Sequence, residues 1–310
     1  MITSTAGEAE PASVGAAPWI SAESYWVPEY VVDSAWLGHA PFAAWLLSQL
    51  RPRVALELGT HQGFSYFAMC EFAERLHLRT NFYAVDTWRG DEHAGFYEDD
   101  VYRAVSRWNE RYSDRSSLLR MTFDKARTLV EDRSIDLLHV DGRHRYEDVA
   151  HDFKQYEGAL SERGVVIFHD IAERSGDFGV YRFWQEIAER YPTFAFTHSH
   201  GLGVALVGDD QPPALRSLCE SDPSQRDAVR AKYDQLGLRV SGIRDLLVQA
   251  AASAELEQQL QVLTQKSATR IAELSDELDA LKTSTSWKLT APIRWVRSRV
   301  TRQRSEGTKN

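Results

Sequence analysis

The sequence predicts an α/β fold, in which an open parallel sheet is covered by helices on both faces and followed by a long C-terminal helix. Three observations support this prediction. An apolar strand runs through glycines into a helix at residues 54–65, apolar strands and helical segments alternate up to about residue 208, and leucines at coiled-coil spacing follow Arg244. We therefore expect one α/β domain followed by an extended helix.

The first strand and its turn carry the most specific signal. Residues 54–58 are apolar except for Glu57, as expected for a strand covered on both faces. Gly59 and Gly63 let the backbone approach a ligand, and the helix that begins near Phe64 offers free N–H groups and positive potential. This arrangement is typical of nucleotide-type sites, although the same spacing also fits an ordinary tight turn.

Each later strand delivers a polar side chain at its carboxyl end. A strand over residues 81–85 ends in Asp86, about two dozen residues after the glycines, which is the spacing of a ribose-binding acid; capping of the turn before Trp88 is the alternative. The strand over residues 118–123 is followed by Asp124 and the strand over residues 135–140 by Asp141. The strand over residues 165–168 is followed by the pair His169 and Asp170. These ends are predicted to form one binding site on a Rossmann-like sheet.

Several segments together resemble class I S-adenosylmethionine-dependent methyltransferases of the type associated with bacterial surface-polysaccharide enzymes. They are SAWLGHAPFAAWLL, ELGTHQGFSYFA, AVDTWRGDEHAGFY, IDLLHVDGRHRYEDVAHDF, GVVIFHD, GVYRFW and HSHGLGVALVG. The resemblance covers about residues 30–210 and implies a seven-stranded methyltransferase sheet with a reversed last strand, which agrees with the hairpin predicted from residue 192 onward. More distantly, the chain is similar to cation-dependent O-methyltransferases of the catechol and macrolide-sugar type.

The resemblance also assigns roles to residues. The ribose of S-adenosylmethionine would lie at Asp86 and its adenine edge at Asp124. The full set of cofactor-binding residues would be Glu57, Gly59, Thr60, Gly63, Ser65, Asp86, Asp124 and Asp141. Asp141 and Asp170 fall where cation-dependent relatives hold a divalent metal, which would be Mg²⁺ here. Ile171 stands where those relatives place another oxygen ligand, so metal binding is less well supported than cofactor binding.

The predicted chemistry is O-methyl transfer to a sugar hydroxyl of a surface glycan or glycolipid precursor. The acceptor oxygen must be aligned and made nucleophilic. A metal at Asp141 and Asp170 could stabilise its alkoxide, or His144 or His169 could take its proton directly. The alternative roles are capping of the following helix by His144 and a hydrogen-bonded core position for His169.

Residues 87–117 form a charged and aromatic excursion that is longer than an ordinary β-to-α connection. Such excursions at a ligand edge commonly shape substrate access. The acceptor-binding candidates in it are Asp91, Glu92, His93 and Tyr97. The alternative is a solvated, partly helical insertion with Trp88 and Trp108 tucked into the core.

The remaining regions follow from composition and spacing. We predict a disordered N-terminus (1–18), a methyltransferase domain (19–210) with a cap at 19–52, a linker with a helix (211–243), a coiled coil (244–283) and a basic amphipathic tail (284–310). The coiled coil has a four-residue stutter near Ser267 and predicts a homo-oligomer or a coiled-coil partner. A single helix packed on the domain is the alternative.

Charge and targeting signals restrict the function and location. The net charge of −9 argues against general nucleic-acid binding, whereas residues 283–310 carry seven basic residues against Glu306. Tryptophans among these arginines suit an anionic membrane surface, and a protein-docking peptide is the alternative. Because Cys70 and Cys219 form no framework and no leader or span is recognised, we expect a cytoplasmic protein that is peripheral at the inner face of the plasma membrane.

Two other functional classes were weighed. A catalytically silent methyltransferase-fold protein could organise polysaccharide-biosynthesis enzymes at the membrane through its coiled coil and tail. A nicotinamide oxidoreductase is disfavoured, because His61 occupies the middle position of what would be the GxGxxG motif. Polar groups at successive strand ends favour the methyltransferase, since a scaffold has no need of them.

Overall fold

The computed structural model describes residues 18–91, 95–96 and 99–306. Short 3-10 helices lie at Ala22–Tyr25, Leu37–His39 and Glu110–Tyr112. The α-helices are α1 (Ala40–Leu50), α2 (Phe64–Arg75), α3 (Asp99–Asn109), α4 (Phe123–Arg127), α5 (Tyr146–Glu157), α6 (Val180–Arg190), α7 (Pro213–Cys219), α8 (Pro223–Thr283), α9 (Thr285–Leu289) and α10 (Ala291–Glu306). The strands are β1 (Val54–Leu58), β2 (Asn81–Asp86), β3 (Gly90–Asp91), β4 (Gly95–Phe96), β5 (Ser116–Arg120), β6 (Ile135–Val140), β7 (Leu160–His169), β8 (Thr193–Phe196) and β9 (Leu202–Leu206).

Within the described residues, one sheet has seven strands in the order β5-β2-β1-β6-β7-β9-β8. Strands β5, β2, β1, β6 and β7 pair in parallel, and β9 runs antiparallel to both β7 and β8. The predicted fold class, a seven-stranded sheet with a reversed last strand and a long C-terminal helix, is confirmed. Chain order reverses between β1 and β6, and ligands of open α/β sheets bind beside such a switch point.

Alternating side chains along the strands build a hydrophobic core on each face of the sheet. Leu137 of β6 packs into the cluster formed with α1 and α2, whereas Leu138 faces the cluster formed with α5 and α6. Every residue of β6 is buried. The predicted helix near Pro41 is α1, and its Phe42 and Trp45 are at most 1% exposed. Both faces are covered, so the carboxyl edge of the sheet is left for ligands.

The region predicted as a linker belongs to the packed structure. Helix α7 and the first turns of α8 bury Leu215, Val229 and Tyr233 completely. The Tyr233 hydroxyl donates to the Trp19 carbonyl at 2.7 Å and lies 3.0 Å from Ser24 Oγ. An apolar stripe on the early turns of α8 packs on the cap and α1. Pro213 and Pro223 are the first residues of α7 and α8, so the prolines of this region mark the starts of packed helices.

The chain divides into two compact units, and the boundary follows Asp245, within the continuous helix α8. The second unit, from Leu246 onward, is helical and exposes the predicted coiled-coil seam, whose side chains from Leu256 to Leu281 are 46 to 68% exposed. The helix runs through the predicted stutter near Ser267 without a break. Nearly all of residues 1–18, predicted to be disordered, lie outside the described residues.

Among the residues that the structure describes, no helix has both the length and the apolar character required to cross a bilayer.

Candidate functional site

A cavity of about 1040 Å³ lies at the carboxyl ends of the central strands. Most residues predicted to form the site line it: Gly59, Thr60, Gly63, Ser65, Asp86, Asp141, His144, His169 and Asp170. Glu57 and Asp124 do not belong to its lining. The structure therefore brings together the glycine turn after β1 and the polar residues that follow β2, β6 and β7.

The glycine turn needs glycine for both conformation and space. Gly59 and Gly63 have φ angles of +88° and +83°, in the left-handed region that other residues rarely adopt. A Cβ added at Gly59 would lie 2.0 Å from the Asp141 carbonyl oxygen, so the turn after β1 packs against the turn after β6. Gly63 precedes α2 directly and leaves the first N–H groups of that helix facing the cavity edge.

Asp86 ties the glycine turn to the end of β2. Its Oδ2 accepts backbone hydrogen bonds from Thr60 and His61, both at 2.9 Å, and its Oδ1 accepts one from Trp88 at 2.7 Å. The turn-capping role weighed for Asp86 is thus present in the structure. A carboxylate has about four acceptor positions. These three bonds therefore leave room for a ribose hydroxyl, and the ribose role stays a prediction.

Two aromatic residues that sequence reasoning did not assign to the site hold the same turn. The Tyr30 hydroxyl donates to the Gln62 carbonyl at 2.8 Å, and Trp88 Nε1 donates to the His61 carbonyl at 2.9 Å. Trp88 is fully buried, as the alternative interpretation of the 87–117 excursion expected. Only tertiary contacts could reveal these roles, because a buried Tyr or Trp finds its polar partner wherever the fold supplies one.

Glu57 lies behind the cavity wall, although the prediction placed it beside the cofactor. It is 1% exposed, and its Oε2 accepts from His139 Nδ1 at 2.7 Å. His139 Nε2 in turn accepts from Trp36 Nε1 at 3.1 Å, which requires the proton to be on Nδ1. Trp36 lines the cavity. Glu57 therefore acts on the site indirectly, by fixing the His139 ring and the Trp36 indole.

Asp124 is also displaced from its predicted place. Strand β5 ends at Arg120, and Thr122 caps α4 by accepting from the Lys125 N–H, so Asp124 falls in the first turn of a helix. Its side chain is 66% exposed and lies 2.7 Å from His151 Nε2. The cavity is lined at this point by Thr122 and Phe123, which the sequence interpretation had placed inside the strand.

Asp141, His144, His169 and Asp170 form a compact cluster, here called the Asp–His cluster. His144 Nε2 lies 2.9 Å from Asp170 Oδ2 and 3.9 Å from Asp141 Oδ1. His169 Nδ1 lies 3.3 Å from an oxygen of each carboxylate. Asp170 has a φ of +61°, an uncommon conformation for a residue other than glycine. Local strain of this kind is frequent at functional sites.

The cluster fixes its own charge states. Burial opposes charge on both imidazoles, but the two carboxylates more than compensate and raise the pKa of His144 to about 9 and that of His169 to about 10. Burial likewise opposes ionisation of the acids, yet the histidines lower the pKa of Asp170 to about 2 and hold that of Asp141 well below its usual range. At neutral pH the cluster therefore pairs two anions with two cations.

His169 is committed to the fold. Its Nε2 lies 3.1 Å from the Ser199 carbonyl, while Nδ1 faces the two carboxylates, so both ring nitrogens are donors and neither can accept a proton. The hydrogen-bonded core role weighed for His169 fits this geometry better than the role of a base. His144 also lines the cavity and is the more exposed imidazole of the cluster, with its side chain 16% exposed and its ring stacked on Phe178 at 4.7 Å.

Three residues of the cluster could hold a cation. Ligand atoms of Asp141, His144 and Asp170 all lie within 4.8 Å of one another. The two predicted carboxylates are thus joined by an imidazole, and Ile171, the departure noted in the sequence, is buried and offers no ligand. Two carboxylates with one imidazole fit a divalent transition metal such as Mn²⁺ as well as Mg²⁺.

The acceptor side can be described only in part. Glu92, His93 and Tyr97 lie outside the described residues, and only the backbone of Asp91 is described, in β3. The open side of the cavity is lined instead by residues that the sequence analysis did not select for this role: Arg143, Glu173, Ser175, Phe178 and His200. Of two histidines near this side, His198 contacts the Gly38 carbonyl at 3.3 Å and His200 contacts Glu173 at 3.0 Å.

Comparisons with known proteins agree with this description. Residues 56–171 match the family model described as a methyltransferase domain. An uncharacterized protein of Sinorhizobium fredii, y4gI, is 48% identical over 188 residues, covering 61% of this chain and 21% of that protein. The match thus spans about a fifth of that relative's length.

Two solved structures are among those similar to this chain. The O-methyltransferase TomG from Streptomyces achromogenes, involved in tomaymycin synthesis and determined in complex with SAM, is 15% identical with a TM-score of 0.42, covering 61% of this chain and 97% of TomG. A methyltransferase from Geobacter sulfurreducens is 16% identical with a TM-score of 0.41, covering 56% of this chain and 80% of that protein.

The family match and the sheet topology define the class of the domain. Residues 56–171 match a methyltransferase domain, and the sheet that contains them has the seven-stranded topology with a reversed last strand expected of a methyltransferase fold. This match supports the predicted enzyme class, and S-adenosylmethionine as the methyl donor is part of the proposed function. The association with surface-polysaccharide enzymes stays a prediction.

Proposed function

We propose that this protein transfers a methyl group from S-adenosylmethionine to a sugar hydroxyl of a surface glycan or of its glycolipid precursor. One observation carries the proposal. A single cavity joins the glycine turn before α2 to the Asp–His cluster after β6 and β7. A turn that admits an adenosyl group thus lies beside ionised groups that can bind and deprotonate an acceptor hydroxyl.

The transfer is an in-line displacement at the methyl carbon. The acceptor oxygen forms a bond to that carbon while the carbon–sulfur bond breaks, and the electron pair leaves with S-adenosylhomocysteine. The acceptor proton must be taken up by the protein or by solvent. Since the sulfonium is already a good leaving group, the protein chiefly aligns the oxygen and manages this proton.

His144 is the proposed proton acceptor. It faces the cavity, Asp170 orients its Nε2, and Phe178 stacks on its ring. Because the two carboxylates raise its pKa to about 9, His144 carries a proton at neutral pH and must lose it before acting as a base. In the alternative route, Asp141, His144 and Asp170 would hold a divalent ion that supplies Lewis-acid polarisation of the hydroxyl, and His144 would then be a ligand and not the base.

Binding and turnover measurements test the proposal. Calorimetry of the full chain with S-adenosylmethionine, with and without Mg²⁺ or Mn²⁺, is expected to show binding, and NAD should give no heat. Labelled S-adenosylmethionine is then offered with a panel of nucleotide sugars and lipid-linked sugars. Absence of cofactor binding would reject the proposal as a whole; transfer to a non-sugar hydroxyl would reject only the acceptor class.

The long exposed helix favours one second candidate function, a methyltransferase-fold scaffold for polysaccharide-biosynthesis enzymes at the membrane. The apolar seam of α8 is exposed from Leu256 to Leu281, as expected of a protein–protein interaction surface. This alternative predicts assembly without turnover. Loss of transfer in an Asp141 variant, with assembly unchanged, would show that the protein is an enzyme.

For the seam we infer pairing with a second copy in parallel register. Glu277 directly precedes the core position Leu278, and Lys282 directly follows Leu281, five positions later. In a parallel coiled coil, residues with this spacing meet across the interface, so each helix would set Glu277 against Lys282 of its partner. Lys282 lies 3.4 Å from the exposed Asp279 within its own helix, and such a pair is weak and easily exchanged.

Light scattering after size-exclusion chromatography tests this pairing. The full chain is expected to be a dimer, and Leu274→Asp with Leu278→Asp should convert it to a monomer. Ala272→Asp with Ala280→Asp adds the same charge on the outer face of the helix and should leave the dimer intact. A monomeric wild-type chain, or equal effects of the two double variants, would contradict the inference.

The C-terminal tail supports the proposed place at the inner face of the plasma membrane. Trp287, Leu289 and Ile293 are 41 to 75% exposed, and the Arg294 guanidinium lies 3.8 Å from the centre of the Trp287 ring. Aromatic and basic groups together suit the headgroup level of an anionic bilayer. The full chain should float with phosphatidylserine vesicles at low salt and lose binding in Trp287→Ser with Ile293→Ser. No flotation of the wild-type chain would reject membrane attachment.

A further inference from the structure

Asp152 is a cavity residue to which the sequence analysis gave no role. It lies on α5, it is 7% exposed, and it belongs to the lining of the cavity. No hydrogen bond or ion pair reaches its carboxyl group from any described residue. Buried carboxyl groups are normally paired, so one that lines a cavity without a protein partner is a candidate for ligand binding.

Phe123 and Asp152 both lie against Gly142. A Cβ added at Gly142 would lie 2.5 Å from Phe123 Cε2 and 3.3 Å from Asp152 Oδ2, so the ring and the carboxyl group occupy the space that a side chain there would fill. All three residues line the cavity. The structure thus offers an aromatic ring and a hydrogen-bonding group side by side, the combination with which proteins hold a nucleobase.

The position of this pair in the sheet indicates which part of the cofactor it meets. Phe123 follows the edge strand β5, whereas the Asp–His cluster follows β6 and β7, and the ends of β2 and β1 lie between them. The reacting sulfonium must lie near the Asp–His cluster. The adenine, at the other end of the adenosyl group with the ribose in between, would then lie toward β5, past Asp86 at the end of β2.

A neutral carboxylic acid is complementary to adenine. Its O–H can donate to N1, and its carbonyl oxygen can accept from the N6 amino group, so that two hydrogen bonds form on one edge of the base. An ionised carboxylate has no proton for N1 and would lose one of these bonds. The recognition therefore depends on the carboxyl group being protonated.

Burial favours the protonated form. It raises the pKa of Asp152 to about 7, and the surrounding charges divide in their effect. His151 on the same helix and Arg143 on the preceding loop lower it, whereas Asp148 on the same helix and Asp124 on α4 raise it. A large fraction of Asp152 is thus neutral around pH 7, in contrast to an ordinary aspartate.

We propose that Asp152, with Phe123 against the base, recognises the adenine of the cofactor as a neutral acid, in the role that the sequence analysis gave to Asp124. The proposal rests on the proposed function, because it takes S-adenosylmethionine as the ligand. It goes further in two ways: it names a recognition residue on α5, and it makes cofactor affinity depend on pH.

Calorimetry with S-adenosylhomocysteine between pH 6 and pH 8.5 tests the proposal in the full chain. Wild-type affinity is expected to be full below about pH 7 and to fall up to about tenfold per unit above it, since the ionised acid cannot donate. Asp152→Asn keeps a donor and an acceptor at all pH values and should abolish this decline. Asp152→Ala should weaken binding about tenfold or more at pH 6.

Glu147→Gln is the matched control, because Glu147 is an exposed acid on α5 that does not belong to the cavity lining. It should bind like the wild-type chain at every pH. Circular dichroism establishes that each variant is folded. Wild-type affinity at pH 6 in Asp152→Ala, or a decline with pH that persists in Asp152→Asn, would overturn the proposal. Absence of binding by the wild-type chain would instead reject the proposed function.

Discussion

Three aspartates line one cavity, yet their surroundings drive their pKa values in opposite directions. Asp141 and Asp170 lie within 3.3 Å of a histidine nitrogen, which lowers their pKa, whereas Asp152 has no such partner and burial raises its pKa to about 7. Burial raises the pKa of all three, and only Asp141 and Asp170 have histidines that reverse the shift. Histidines thus decide which side of the cavity is ionised and which side can donate a hydrogen bond.

Removing an ionised acid should have the largest effect. Asp141→Ala is expected to lower methyl transfer at least about 10³-fold, because the acceptor loses its binding group and the Asp–His cluster loses half of its negative charge. Labelled-methyl transfer measures the effect, and circular dichroism should show that the fold survives. Asp124→Ala, an exposed acid outside the cavity, is the control and should keep full activity. Full turnover by the Asp141 variant would reject its role.

The proton on His144 should govern the pH dependence of turnover. Since the base must be deprotonated and its pKa is about 9, transfer without added metal should rise up to about 100-fold between pH 7 and pH 9 and then level off. Mn²⁺ should move the rise to lower pH, because metal and proton compete for the same ligands. His144→Gln should abolish the rise. A profile that is flat over this range in the wild-type chain would contradict the assignment.

Asp152 should weaken the fold at high pH. Its pKa is raised from 3.8 to about 7, so the folded state binds the proton more tightly than the unfolded state, and stability falls as pH rises from about 4 to 7. Asp152→Asn should therefore raise the free energy of unfolding at pH 8 by a few kcal/mol, the order of magnitude that corresponds to this pKa shift. At pH 4 the same substitution should change the free energy of unfolding little. Urea denaturation at both pH values measures it. An equal effect at the two pH values would indicate a cause other than ionisation.

Loosening the glycine turn should give the smallest effect. Trp88→Phe removes the donor to the His61 carbonyl, and Tyr30→Phe removes the donor to the Gln62 carbonyl. Each loss costs about 1 kcal/mol and should weaken cofactor binding by about fivefold through a more mobile turn. Calorimetry measures the change, with Tyr25→Phe, which is exposed and outside the cavity, as the control. Unchanged affinity in both variants would show that the turn is held by Asp86 alone.

Much of the fold could be predicted because it follows local patterns. The limits of β1, β2 and β6 and the start of α2 agree within one residue with the patterns that predicted them. The end of β5 was wrong by three residues, since Thr122 stops the strand by capping α4. For residues 211–243 the sequence predicts a linker with a helix, and the structure adds that α7 and the start of α8 bury Leu215, Val229 and Tyr233. Caps and packing partners of this kind depend on chain segments that a local pattern does not contain.

The site likewise has a part that local patterns predict and a part that depends on tertiary contacts. Strand ends at a common edge predicted that Asp86, Asp141 and Asp170 would meet at one cavity, because parallel strands present their carboxyl ends together. The distinction between wall and interior was not predictable: Glu57 turns behind the wall toward His139, which is 82 residues away. A strand position fixes which face a side chain leaves from, but not which partner draws it away from the cavity.

The sequence by itself determined the order of strands and helices, the glycine turn, the set of acids at the sheet edge and the exposed leucine seam, all of which depend on spacing along the chain. Only the tertiary structure decided that His169 is held between two carboxylates and the Ser199 carbonyl, and that Asp152 is buried near Phe123 without a hydrogen-bond partner among the described residues. The physical reason is that protonation depends on burial and on charges a few ångströms away, and the fold supplies both from distant parts of the sequence.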